Sequence, residues 1–71
     1  MELHNVPNRT WVRVQDPDKV PPAAPTPDAG ERIFFDHIDG MYSYCKREDG
    51  SVIHLVAWQE VTIDSNQETE V

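Results

Sequence analysis

Two aspartyl-glycine pairs, Asp39-Gly40 and Asp49-Gly50, each lie between short runs rich in β-branched and aromatic residues. This dipeptide favours the positive backbone angles of tight reversals, so the chain from Arg32 to Val56 is expected to fold back twice into a three-stranded antiparallel meander. Side chains alternate across a strand, and a one-residue slip in register exchanges the buried and exposed sets. With Asp39 and Gly40 as the central residues of a type I′ turn, Ile38 opposes Met41, His37 opposes Tyr42, Asp36 opposes Ser43, Phe35 opposes Tyr44 and Phe34 opposes Cys45. At the second reversal a two-residue turn would place Ile53 and Leu55 beside Lys46 and Glu48. A three-residue loop, Glu48 to Gly50, with the glycine as a left-handed bulge residue, instead brings Cys45 opposite Ile53 and Tyr44 opposite His54. This loop separates apolar from polar side chains and is the expected one. One face then carries Phe34, Ile38, Met41, Cys45, Ile53 and Leu55, with Asp36 and Ser43 as a polar pair. The other carries Phe35, His37, Tyr42, Tyr44, Val52, His54 and Val56.

The rest of the chain is consistent with an all-β fold. "TWVRV" (10–14) alternates with period two, and "VTI" (61–63) supplies a fifth strand-like run. Between the first two runs, "DPDKVPPAAPTPDAG" (16–30) holds most of the prolines and excludes both a helix and a central strand. No window carries a helical period, apart from one possible turn at Ala57 to Glu60. The expected organisation is an N-terminal segment (1–9), a single small β-domain (10–63) in which 16–30 is a long proline-rich loop, and a flexible acidic tail (64–71). At 71 residues the core can supply only a few kcal/mol of net stability. Cys45 is the single cysteine, so neither a disulfide nor a zinc site of the usual spacing is available as a staple. No apolar run approaches the roughly 18 residues of a membrane span, and the N-terminus lacks the regions of a signal peptide. A soluble protein of a reducing compartment is expected, with no membrane partner and no glycan at the Asn8–Thr10 triplet.

The formal net charge of −7 argues against direct binding to nucleic acid, which rewards Lys and Arg through counterion release. Catalytic readings also fail. Cys45 is expected to point away from the histidines, which denies it a base within hydrogen-bond reach. His37 and His54 share a face but are separated by the middle strand, about 9–10 Å at ordinary strand spacing, and no third metal ligand accompanies them. Asp39 and Asp49 are explained by turns and Asp36 by a bond to Ser43 or the backbone, so no carboxylate pair remains for acid–base work. Neither a phosphate loop nor a nucleophile elbow is present. No enzyme activity, cofactor or metal is expected. What remains is an amphipathic aromatic face, with Phe35, His37, Tyr42, Tyr44 and His54 as candidate protein-binding residues. The "PPAAPTP" loop is the competing occupant of that face, since proline rings dock well on aromatics. Trp11 and Trp58 are further anchors, Trp58 expected to cap the open end of the sheet. The C-terminal Thr69-Glu70-Val71 fits the short pattern captured by PDZ domains.

Five short strands, a long loop after the first, tight hairpins joining the second, third and fourth, and one turn before the last: this order resembles the small Src-homology-3-like barrel over Thr10 to Ile63. The resemblance is one of topology, and implies a five-stranded barrel or a strongly twisted antiparallel sheet. The family's aromatic peptide groove has no matching residues in this chain, so peptide binding is not carried over. The stretches "FFDHIDGMYSYC" and "HLVAWQEV" are similar to small accessory proteins of tailed bacteriophages. That resemblance implies an accessory role, either binding a host protein or decorating or joining a virion component; with the acidic composition, the leading expectation is a non-enzymatic protein that binds and modulates a host protein in the host cytoplasm. The first alternative is a virion structural or decoration protein, with a homo-oligomer burying spare apolar surface. The second is sequestration of a small nucleotide-like ligand stacked on the tyrosines, for which Arg13, Arg32, Lys46 and Arg47 are the only phosphate contacts to hand.

Overall fold

The computed structural model describes residues 1–17 and 26–67. Its strands are β1 (Thr10–Val14), β2 (Arg32–Asp39), β3 (Tyr42–Arg47), β4 (Val52–Ile53) and β5 (Val61–Ile63). They form one antiparallel sheet in the order β4-β3-β2-β1-β5. The fold is therefore all-β, and this order is compatible with the Src-homology-3-like arrangement. The sheet does not close into a barrel: β4 and β5 are its two edges and do not pair.

The second hairpin forms as its composition dictates. Cys45 pairs with Ile53 and Lys46 with Val52, and Arg47 N–H donates to Ser51 O at 2.9 Å. Gly50 takes a φ of 89°, a left-handed value that L side chains rarely adopt. Asp49 closes the loop by accepting from Ser51 N–H at 2.9 Å and Ser51 Oγ at 2.7 Å.

The first hairpin differs from the expected register. Asp39 pairs with Tyr42, so Gly40 and Met41 occupy the reversal, followed by Ile38 with Ser43 and His37 with Tyr44. A β-bulge at Asp36 then shifts the pairing, and Phe35 meets Cys45, Phe34 meets Lys46 and Ile33 meets Arg47. The physical reason is visible in the side chains. A regular strand turns Phe35 and Ile38 to opposite faces, whereas one extra residue between them lets both face the core. Phe35, expected on the exposed aromatic face, is in fact 0% exposed beside Cys45. Phe34 moves to the opposite face, and Met41, expected in the core, is 62% exposed at the turn. Val56, expected on the open face, is buried.

The core consists of Leu3, Val6, Val12, Val14, Ile33, Phe35, Cys45, Ile53, Leu55 and Val61, with Ile38 packed against it. Leu3 and Val6 come from residues 1–9, which the sequence suggested lie outside the domain. A 3-10 turn at Leu3–Asn5 plants Leu3 in the interior, and Leu3 N–H donates to Gln59 O at 2.9 Å. Buried Ser43 is satisfied by Leu55, donating to its O at 2.9 Å and accepting from its N–H at 3.2 Å. Buried Gln59 donates through Nε2 to Asp16 O at 2.8 Å and Glu60 O at 3.0 Å, fixing the start of the proline-rich loop.

The reverse face of the β1–β2 pair carries a second packed layer. Trp11 and Phe34 meet edge to face at 5.2 Å, and the Arg32 guanidinium lies 3.8 Å above the Trp11 ring. Such a cation–π contact is worth about 1–2 kcal/mol when partly desolvated. Asp64 pairs with Arg32 at 2.5 Å, and Gln67 clamps Trp11 by accepting from its N–H at 2.7 Å and donating to its O at 2.9 Å. The first residues of the expected tail are thus strapped to the sheet. Residues 68–71 and 18–25, and with them the PDZ pattern and most of the proline-rich stretch, lie outside the described residues.

The bulged register makes a direct stability prediction. Phe35→Ala should cost about 3–5 kcal/mol, comparable with the whole stability of so short a chain, and abolish the cooperative thermal transition. Tyr44→Ala should retain it. A folded Phe35→Ala protein, measured by circular dichroism, would contradict the bulge.

Candidate functional site

The three strands of the meander bring three rings side by side on the face opposite the core. His37 of β2 stacks on Tyr44 of β3, with centroids 5.6 Å apart and planes inclined by 8°. Tyr44 meets His54, the residue following β4, edge on at 6.0 Å and 71°. The bulge creates the first contact, because it sets His37 directly across from Tyr44.

Both imidazoles are anchored by Nδ1. His37 Nδ1 lies 3.0 Å from Asp36 Oδ1, and His54 Nδ1 lies 3.0 Å from Ser43 O. A carbonyl oxygen can only accept, so this contact uses a proton on His54 Nδ1. Ring orientation is consequently fixed before any partner arrives. Tyr42 stands two residues before Tyr44 on the same side of β3 and is exposed. His37 and His54 are exposed and Tyr44 is half-buried. Of the five residues suggested by the sequence, four therefore share one surface, and Phe35 does not.

Cys45 is turned away from this surface. Its Sγ lies 3.2 Å from Ser43 Oγ, and burial pushes the thiol up to about 11. No cluster of three or more metal-ligating side chains occurs among the described residues.

Arg13, Arg32 and Arg47 lie elsewhere and are committed. Arg32 and Arg13 both engage Asp64, and Arg32 also lies 3.5 Å from Glu48. Arg47 Nη2 donates to Thr26 O at 3.2 Å, while its Nε lies 3.0 Å from Glu31 without aiming its N–H at the carboxylate. Three of the four cations considered as phosphate contacts are thus held by carboxylates on the Trp11 side or at the proline loop. The Trp11–Phe34–Arg32 layer could not be read from local sequence, because its members come from strands paired over long range. Trp58, expected to cap the sheet, is instead 47% exposed on the turn after Val56.

Hydrogen bonding to Arg32 is the main reason the Asp64 carboxyl sits below its ordinary value of 3.8. A lowered folded-state value means that its contribution is fully present above about pH 4 and is lost as pH falls through the lowered value. Wild type should therefore lose more thermal stability than Asp64→Asn on acidification from pH 5 into that range; equal losses would remove Asp64 as the cause. Folded Cys45 should resist thiol reagents at neutral pH and react only on denaturation.

In comparisons with known proteins, no family model matches the chain, and no curated protein or solved structure matches it either.

Proposed function

We propose that this chain is a non-enzymatic, acidic protein-binding module whose contact surface is the ribbon of His37, Tyr44 and His54, with Tyr42 beside it. The observation that carries this reading is the side-by-side placement of three rings from neighbouring strands on a solvent-facing surface, while the apolar core is filled from the other face. Tyrosine combines an apolar body with a polar tip, a combination enriched at the centres of protein interfaces. Rings already held by Asp36 and Ser43 lose little further freedom on docking, which lowers the cost of association. The net charge of −7 steers the module toward a basic partner and raises its encounter rate at low salt. The resemblance of "FFDHIDGMYSYC" to phage accessory proteins suggests the class of partner: a host protein in the host cytoplasm.

Affinity capture from bacterial lysate with wild type and with Tyr42→Ala, Tyr44→Ala and His54→Ala tests the reading. Truncating a ring at the centre of the contact should weaken capture at least tenfold, or about 1.4 kcal/mol, and added salt should slow association. Unchanged capture by all three variants would remove the ribbon as the contact surface. Recovery of the protein at high copy number in purified virions would favour the decoration role instead.

A further inference from the structure

Among the described residues, the chain protects one edge of its sheet and covers the other with nothing. Along β5 the N-terminal residues act as a cover: Val61 N–H donates to Met1 O at 2.8 Å and Leu3 N–H to Gln59 O at 2.9 Å. Beyond the end of β5, Asp64 N–H and the Gln67 amide occupy the main chain of Trp11. The β4 edge has no such cover among the described residues.

The ladder shows which groups are left over. Arg47 N–H donates to Ser51 O at 2.9 Å and Ala57 N–H to Met41 O at 2.8 Å, with Cys45 paired to Ile53 between them. Residues of an antiparallel pair alternate between turning their main-chain groups toward the partner and away from it. The odd-numbered residues from Ser51 to Ala57 face β3, so the N–H and C=O of Val52 and His54 point off the edge. The series stops at Val56, whose C=O accepts from Gln59 N–H at 3.0 Å. Proteins usually blunt such an edge by keeping it very short or with lysine, proline or a bulge; of these devices β4 has only its shortness. Here the side chain at its centre is Val52, 42% exposed, and the next outward residue is His54 of the aromatic ribbon.

We propose that the β4 edge receives an extended, positively charged segment of the partner as an added strand, Val52 and His54 supplying the main-chain ladder and the Tyr44–His54 rings the adjoining side-chain surface. This rests on the ribbon being the contact surface and specifies how the partner meets it. Outward main-chain donors and acceptors at alternate residues demand an extended backbone, the geometry of strand addition. Charge selects the occupant. Two copies could pair through the same edge about a two-fold axis, but that would join two chains of net charge −7. Glu48, which lies 3.5 Å from Arg32, and Asp49, both exposed, lead directly into β4; Lys46 is paired with Val52, and the net acidic charge of the chain favours a basic strand over a second copy.

The test uses the full chain, labelled with nitrogen-15, and three acetylated and amidated peptides. TKVRVKT is basic and extended, TEVEVET is its acidic twin, and TKPRPKT, with its lysine and arginine residues methylated on the backbone nitrogen, keeps the charge but has no inner N–H left to complete a ladder in either register. TKVRVKT should move the Val52 and His54 amide signals saturably, and each control should bind at least about tenfold more weakly. Val52→Pro removes an N–H that β3 does not use, so the Cys45 and Leu55 signals should persist while peptide binding is lost. The proline peptide gives the same information on the unaltered protein should that variant not fold. Equal binding of TKVRVKT and TKPRPKT, or no response at Val52 and His54, overturns the proposal. So does protection of those two amides from hydrogen exchange in the free protein, which would mean that the chain's own residues or a second copy already occupy the edge. Lysate capture that depends on Tyr44 but survives Val52→Pro would sink the edge and leave the ribbon standing. Loss with Val52→Pro but not with Tyr44→Ala would do the reverse.

Discussion

One extra residue in β2 organises the molecule. The bulge at Asp36 lets Ile33, Phe35 and Ile38 all serve the interior, although no uninterrupted strand could turn the last two to one side. The row Phe35–Cys45–Ile53 crosses the meander in the core, and the row His37–Tyr44–His54 crosses it on the outside. Both rows exist because the pairing is offset by one residue between Phe35 and His37. An aromatic surface and a closed core are thus two consequences of one local irregularity.

A sheet of five short strands leaves much of its core unsealed, and this chain fills the gaps with its ends. Leu3 and Val6 enter from the N-terminal turn, while Asp64 and Gln67 bind down Arg32 and Trp11 on the reverse face. Arg32 does two things there. It covers the Trp11 ring as a flat cation and donates one directed hydrogen bond to Asp64 and another to Asn66 O, so the layer combines apolar burial with a paired charge. The arrangement also pairs cations with carboxylates. Arg13 and Arg32 are spent on Asp64 and Arg47 lies against Glu31, which leaves the acidic excess to define the field a partner meets.

The ribbon and the β4 edge adjoin one another at His54. Its ring closes the aromatic row, its Nδ1–H is tied to Ser43 O, and its main chain lies at the open side of the sheet. Pre-set rings thus stand beside main-chain groups that no described residue pairs, the arrangement on which the proposed strand addition rests. The one thiol of the meander, Cys45, is sealed in the core and held protonated by burial.

Composition and local pattern were sufficient for the strand content, the second reversal and the inward parity of Ser43, Cys45, Ile53 and Leu55. Glycine after aspartate at Gly50, and alternation along β3 and β4, are short-range constraints that any tertiary context must respect. The same alternation put Tyr42, Tyr44, His37 and His54 together on the outside. Phe34 and Phe35 are adjacent and equally apolar, so nothing local distinguishes which of them faces inward. That choice was made by Cys45 and Ile53 across the meander and by Trp11 across β1, contacts between residues far apart in the chain. The entry of Leu3 and Val6 into the core and the strapping of Asp64 and Gln67 are equally invisible to periodicity, because short polar-rich ends acquire a place only when an unfilled core or an unpaired strand residue is there to receive them. Sequence alone determined the strands and the outward tyrosine-histidine parity; tertiary structure alone decided the bulge and the use of the ends, because both depend on volume to be filled rather than on local conformational preference.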